Sequence, residues 1–520
     1  MDRTFWTLVT PWLVGALLLA GGVWAWWQQP VAFDDAYITY RYAENWLAGH
    51  GLVFEPGAAP VEGFSNPLWL GVSAAALSLG ADPFEATRLL GVASYSLAIA
   101  AIGLGLARQA GALGASGGWL LPALACLVLP AGLAGVAGSG LETGFLALCL
   151  VSLGLSFLLR DDSPAVRPLC VLLPLVACLT RLDALIAVVA VSLADLVRAG
   201  AGELPGARQR ARLRWIPLVS LLVATTVFRL VYYDAWLPNP YYAKGADEWH
   251  LAAGLAYLAG FVQSSWQVVP LAGLAAFGAW AAGSWRVRRL CVFALLCTGG
   301  YALYIAKVGG DFMQYRFAWP PYLVLAAGGL GGLAELARRS LLPAALLGVS
   351  VAGLAGLPTV LEHEYAMQSL AEMDAYTRLG LEVGPALDRA LPPGTQVATT
   401  LAGSLSYGSR LRIVDQWGLN DRSVARGRGL EQFQRGHYKP ASAEYLRDRG
   451  VELVIHHPLV CDCAELCTEP VPMLFLRLDA QRCLQGFLVA PRPELIERVC
   501  SEPERFALHG IDCVPVRPDG

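Results

Sequence analysis

Apolar residues come in long uninterrupted runs along the first two thirds of the chain, and the polar residues between them gather in short clusters. Residues 5–27 hold 23 positions without a charge, about 35 Å as a helix at roughly 1.5 Å per residue, enough to cross a bilayer. A cleaved signal peptide is the rival reading. The apolar part is long for one, ends in Trp24, Trp26 and Trp27, and lacks a small-x-small cleavage site. Further apolar runs fall near 88–107, 118–137, 143–159, 168–181, 184–198, 215–232, 267–284, 290–306, 317–337 and 341–358. The pattern predicts about 11 spans. The short apolar stretches 67–80 and 251–265 are expected to lie juxtamembrane or re-entrant.

After residue 358 the long-helix pattern gives way to a mixed segment with strand-like runs at 396–400 and 452–456. The expected architecture is mainly α. A polytopic transmembrane helical bundle fills 1–358, and a soluble α/β or α+β domain fills 359–520.

Composition sharpens this picture. With 56% hydrophobic and 15% charged residues and a mean hydropathy of +0.49, an all-soluble chain is excluded. Of the 38 basic residues 35 are arginine, and they bracket the apolar runs instead of forming one basic face, which argues against a nucleic-acid partner. Arg3, Arg108, Arg160 with Arg167, the group from Arg198 to Arg214, the group Arg286, Arg288 and Arg289, and the pair Arg338 and Arg339 are expected to be cytoplasmic. The chain then runs N-in, C-out, which puts loops 28–66, 138–142, 181–183, 233–250 and 307–316 and the C-terminal domain outside the cytoplasm. Cysteine usage agrees: Cys461, Cys463, Cys467, Cys483, Cys500 and Cys513 crowd into the tail, and their spacing suits disulfides in an oxidising compartment better than a zinc site. The cysteines of the apolar runs read as small buried apolar residues.

Candidate chemistry gathers in the outer loops. Loop 28–66 carries adjacent carboxylates, Asp34 and Asp35, directly after the first span. Carboxylates at a bilayer boundary are costly unless they face a wet cavity or a cation, which makes them functional candidates; one of the two can instead cap the helical stretch 36–48. Tyr37 and Arg41 are four apart on one face of that stretch. His50, between two glycines, reads as structural or solvated. The segments 232–244 and 307–317 each combine an acid, a base and aromatics, with Lys244, Asp311 and Arg316 in shaped loops. Glu142 and the Arg181 and Asp183 pair are further boundary charges, the pair having a structural ion pair as its plainest reading. Cations converging on a pocket suit a lipid phosphate, which Arg holds as a fork and Lys as a point charge.

The stretches FDDAYITYRYAENWLAGHGLVFEPGAAPVEGFSNPLW, SGLET, LTRLDA, LPNPYYAK, GGDFMQYRF, DQWGLND and RGHYKPA together resemble the GT-C membrane glycosyltransferases, most closely the branch containing the mycobacterial-type terminal β-arabinofuranosyltransferases. The resemblance implies an inverting transferase that moves one sugar, arabinofuranose among the choices, from a polyprenyl-phosphate donor to a hydroxyl of a cell-envelope glycan, lipid or protein, outside the cytoplasmic membrane. It carries the catalytic base onto Asp34 and Asp35, with Asp35 expected to act directly and Asp34 to support it. Arg41, Lys244 and Arg316 are assigned to the leaving phosphate, and Tyr37, Glu142 and Asp311 complete the candidate substrate-binding set. Some GT-C enzymes use a divalent cation; no dense carboxylate cage is visible here, and the metal is left open. Pro240 stands where the resemblance leads us to expect Thr or Ser, and the cysteine-rich tail has no counterpart in it. A transporter or flippase would show inverted repeats, of which none is clear, and a lipid-linked glycan ligase remains the other rival.

Overall fold

The computed structural model describes residues 22–23, 31–113, 131–159, 165–197, 204–340, 350, 369–463 and 471–510. Most of the expected first span, most of the run 118–137, nearly all of 341–358, and Arg3, Arg160, Arg198, Cys467 and Cys513 lie outside the described residues.

Among the described residues the apolar runs form helices, as their length favours, even where Pro174 and Pro217 fall inside them. Among the described residues, three helices are long and apolar enough to cross a membrane: Pro83–Gly105, Gly206–Tyr233 and Trp285–Val308. Five more are apolar but shorter, including Pro67–Ser78 and Leu251–Ser264, the two stretches expected not to cross fully. On Gly206–Tyr233, Ile216, Val219, Val223, Val227 and Val231 are exposed, an apolar face that suits lipid. The arginines 208 to 214 do not form a loop there. They lie inside the helix Leu204–Phe228, and Arg214 and Arg210 fold onto buried Asp195.

Trp319–Arg339 runs through the centre of the bundle, buried along almost its whole length. Prolines at its start fit the helix N-terminus, where the missing N–H has no intrahelical acceptor. A Cβ on Gly332 would stand 1.9 Å from the Leu274 carbonyl oxygen, so only glycine admits the close approach of Val268–Ala281.

The C-terminal segment holds the helix Leu370–Ala390, opened by a capping box between Ser369 and Glu372, and strands β1 (Gln396–Thr399), β2 (Arg412–Asp415), β3 (Leu453–Asp462), β4 (Met473–Arg477), β5 (Arg482–Leu488) and β6 (Phe506–His509). They form one sheet of order β2-β1-β3-β5-β4-β6. β1 pairs parallel with β2 and β3, and the remaining pairs are antiparallel. Cys463 is disulfide-bonded to Cys483 across the β3 and β5 end. Cys500 is also disulfide-bonded, whereas Cys461 is a free thiol, which corrects the expectation for that residue. Cys149, Cys170, Cys178, Cys291 and Cys297 are buried and unpaired, as apolar packing residues should be.

The helix Asp34–Leu47 joins the two regions. Its Ala36, Tyr37 and Tyr40 belong to the core of the bundle. Ile38 and Tyr42 belong, with Phe54 and Phe64, to a second core completed by Val383, Leu387, Val397 and Leu405 of the C-terminal segment. One short helix therefore fixes the sheet region against the membrane region.

Candidate active site

Asp34 and Asp35 open that helix, where the free N–H groups of the first turn favour carboxylates. Neither is the cap; that position is Phe33, without a side-chain hydrogen bond. Adjacent helical residues point about 100° apart, and the two carboxylates part company. Asp34 turns to the C-terminal segment, accepting hydrogen bonds from the Gly403 N–H at 3.0 Å, the Ser404 N–H at 2.7 Å and the Ser404 hydroxyl at 2.5 Å. Burial pushes its carboxyl up to about 6, against the opposing pull of these donors.

Asp35 instead faces open space. Its Oδ2 lies 3.7 Å from Lys244 Nζ and 3.8 Å from Arg316 Nη1. Its side chain keeps 21% of its exposure. Arg316 is itself held by Asp311, with Nε 2.7 Å from Oδ2, though the N–H points off the line to that oxygen. The Gly309 and Gly310 turn, both at positive φ, brings Asp311 round, and Gln314 and Tyr315 at positive φ bring Arg316 back. Left-handed non-glycine residues are strained and are held only where the surroundings enforce them.

Asp35 and Lys244 form the wall between two cavities. The inner one, of about 330 Å³, reaches into the bundle and takes Glu142, Arg181, Asp183, Arg229, Tyr304, Asp311 and Arg316 into its lining, with Leu179, Leu221 and Leu222 as apolar surface. Its guanidinium groups are oriented by carboxylates. Arg181 forks onto Asp183 and donates to Glu142 at 2.9 Å, Glu142 also accepts from Asn66 at 2.8 Å, and Arg229 donates to Glu62 at 2.7 Å. The outer cavity, of about 50 Å³, lies between the Asp34 helix and the C-terminal segment. Among the described residues no three His, Cys, Asp or Glu side chains gather in a metal-binding group.

Asp35, Lys244, Arg316, Asp311 and Glu142 thus converge on one cavity. Three expected members do not join them: Asp34, engaged by Gly403 and Ser404 as described above, and Arg41 and Tyr37. Arg41 donates to the Ser409 carbonyl at 3.0 Å and sits near Glu44 and Glu55. Tyr37 packs edge-on against Tyr40 and Tyr407 and stacks on Phe84. Helix geometry explains the last two corrections: residues two and six positions beyond Asp35 are turned roughly 200° and 240° away from it. Conversely, the Arg181 and Asp183 pair lines the cavity as well as bridging locally, and Arg229 with Glu62 was not anticipated. The signal for Arg229 was a charge inside an apolar run. Pro240, the departure from the expected Thr or Ser, is on the cavity wall.

Residues 365–492 match a family described as a domain of unknown function, DUF8728. No curated protein matches the chain. Among solved structures it is similar to ArnT from Cupriavidus metallidurans bound to undecaprenyl phosphate, at 14% identity and TM-score 0.51, covering 95% of this chain and 100% of that one. The apo state of that ArnT matches at 14% identity and TM-score 0.49, over the same shares. Arabinofuranosyltransferase AftD from Mycobacteria matches at 13% identity and TM-score 0.43, covering 95% of this chain and 42% of that one. The likeness to undecaprenyl phosphate-bound ArnT shows the fold: a bundle of apolar helices followed by a small C-terminal sheet region.

Proposed function

We propose that the chain is an inverting glycosyltransferase that moves a single sugar from a polyprenyl-phosphate donor to an acceptor hydroxyl on the extracytoplasmic side of the cytoplasmic membrane. The observation that carries this reading is the position of Asp35, on the wall shared by two cavities with Lys244 and Arg316 each within 4 Å. The donor phosphate lies in the inner cavity beside Lys244 and Arg316. Its isoprenoid chain leaves along the apolar helix Gly206–Tyr233, whose Leu221, Leu222 and Thr225 line the cavity.

In the chemical step Asp35 takes the proton of the acceptor hydroxyl as its oxygen bonds to the anomeric carbon, and the bond from that carbon to the phosphate oxygen breaks on the opposite face. Polyprenyl phosphate departs as an anion, so the need is for positive charge more than for a general acid. Lys244 and the free edge of Arg316 supply it, with Asp311 holding the guanidinium in place. Asp34, fully engaged by Gly403 and Ser404, keeps the helix start and hence Asp35 in position. That ArnT was solved with undecaprenyl phosphate supports a lipid phosphate as the donor's leaving group. The arginine distribution and the tail disulfides support an extracytoplasmic site.

Purified protein in lipid, offered radiolabelled polyprenyl-phosphate pentoses and hexoses, arabinofuranose included, tests the reading. Release of polyprenyl phosphate that depends on Asp35 names the donor. Release that is equal in Asp35→Asn removes the assigned base.

A further inference from the structure

Two of the sequence stretches, 415–421 and 435–441, have no role in the donor chemistry proposed above; both reach the inner cavity through Leu419 and Gly436, and both build the outer one. From the first come Asp415 and Trp417, and from the second His437. Asp415 accepts hydrogen bonds from the N–H groups of Trp417 at 2.9 Å and Asn420 at 3.0 Å and from the Asn420 amide at 3.0 Å, which ties the turn and fixes the indole. The Trp417 ring lies 4.9 Å from that of His437, which lies 4.6 Å from Phe312. The indole Nε1 is buried and has no hydrogen-bond partner among the described residues. Across the cavity the Thr400 hydroxyl meets His457 Nδ1 at 2.9 Å, and Tyr376 packs edge-on to His457.

The chemistry of this lining is specific. It presents aromatic faces and neutral hydrogen-bonding groups. Burial, with Lys244 and His457 nearby, holds the His437 imidazole down at about 4, uncharged at neutral pH. The carboxylates of Asp34 and Asp415 are taken up by backbone and side-chain donors. Charge faces the cavity at the Asp35 and Lys244 wall. Such a site disfavours an anion and suits a polyol, whose C–H faces pack on aromatic rings while its hydroxyls use the Thr and His groups. At roughly 10–15 Å³ per water, a space of about 50 Å³ takes a few waters, or one hydroxyl-bearing edge of a sugar ring, and not a whole glycan.

We propose that the outer cavity is the acceptor subsite and that it recognises the edge of a neutral sugar ring through Trp417 and His437, presenting one hydroxyl to Asp35 from the side opposite the inner cavity. This rests on the transferase reading and adds to it the chemical class of the acceptor.

The test uses the full chain in lipid nanodiscs, with hydrogen exchange of segments 371–381 and 415–438 followed by mass spectrometry. The probes are neutral methyl glycosides of pentoses and hexoses, the matching sugar phosphates, and, separately, undecaprenyl phosphate. We expect at least one neutral glycoside to protect both segments, with about tenfold weaker binding in Trp417→Ala and about threefold in Trp417→Phe, which keeps an aromatic face of smaller area. Undecaprenyl phosphate binding should stay within about twofold in both, which also shows that they are folded. Protection by sugar phosphates but not by neutral glycosides overturns the proposal, as does glycoside binding indifferent to Trp417→Ala. Failure of every glycoside while undecaprenyl phosphate still binds overturns it and leaves the transferase reading standing; failure of undecaprenyl phosphate as well sinks the reading beneath it.

Discussion

On the membrane side of Asp35 the cavity wall carries Arg181, Arg229 and Arg316, each paired with a carboxylate, over a floor of leucines. On the outer side, a few ångströms away, the wall is aromatic and its histidines are neutral. The first furnishing suits a charged group on a greasy tail, and the second suits an uncharged ring. Under the proposed reaction the two substrates would be told apart by charge, and Asp35 and Lys244, which line both cavities, would be the groups that both touch. The difference also explains why the two adjacent aspartates need different surroundings. One carboxylate must be accessible to react, and the other must be consumed to hold the helix against the sheet region.

The sharpest way to break this comparison is at its shared wall. Asp35→Asn should lower transfer about 1000-fold, within the range for a positioned general base, while leaving folded yield and undecaprenyl phosphate binding nearly unchanged. Steady-state transfer assays beside a lipid-binding assay check both halves. Arg316→Ala and Lys244→Ala come next, each expected to cost about 100-fold in kcat/KM for the donor. In Arg316→Ala, whose side chain lines the inner cavity and not the outer, the acceptor KM should move far less. Equal effects on both substrates would mean that the inner and outer sides are not separate.

Asp34→Asn should act on stability first, by about 1–3 kcal/mol, because a buried acceptor of three hydrogen bonds is altered. Its pH signature has a definite sign. The folded carboxyl is held up at about 6, against about 3.9 in an unfolded chain, so its contribution is full below about pH 4 and is lost as pH rises through about 6. His437 has the opposite sign: held down at about 4, it contributes fully above about pH 6.5 and loses that as pH falls toward 4. Melting curves of each variant minus wild type between pH 4 and 7 should slope in opposite directions for Asp34→Asn and His437→Gln. The smallest effect belongs to Arg41→Ala, expected to change transfer by no more than about threefold, since Arg41 reaches Ser409 and neither cavity. A loss as large as that of Arg316→Ala would refute the assignment of the walls.

Much of this was legible in the chain. Long apolar runs favour helices whatever the tertiary context, so the run 290–306 falls inside the observed Trp285–Val308 and 317–337 overlaps nearly all of Trp319–Arg339. Lys244, Asp311 and Arg316 stood out because charges in glycine- and proline-shaped boundary loops have few structural reasons to be there. What could not be read was direction. Whether Asp34 or Asp35 meets the cavity depends on the helix phase, which is set by Ile38 and Tyr42 packing on the distant Leu387 and Leu405. Arg41 was misassigned for the same reason. The pairing of Arg229 with Glu62, 167 residues apart, is fixed only when the first outer loop packs on the bundle, and the contact of Asp34 with Ser404, 370 apart, only when the bundle and the sheet region dock. Local pattern carries no record of such contacts.

The most direct test sets the two neighbours against each other. Asp34→Asn and Asp35→Asn are compared for single-turnover transfer from the active polyprenyl-phosphate sugar, at equal concentrations of folded protein and at a temperature below both melting points. The account predicts a chemical step slowed about 1000-fold by the change at Asp35 and by less than about tenfold by the change at Asp34. The reverse order, or two equal losses, would contradict it.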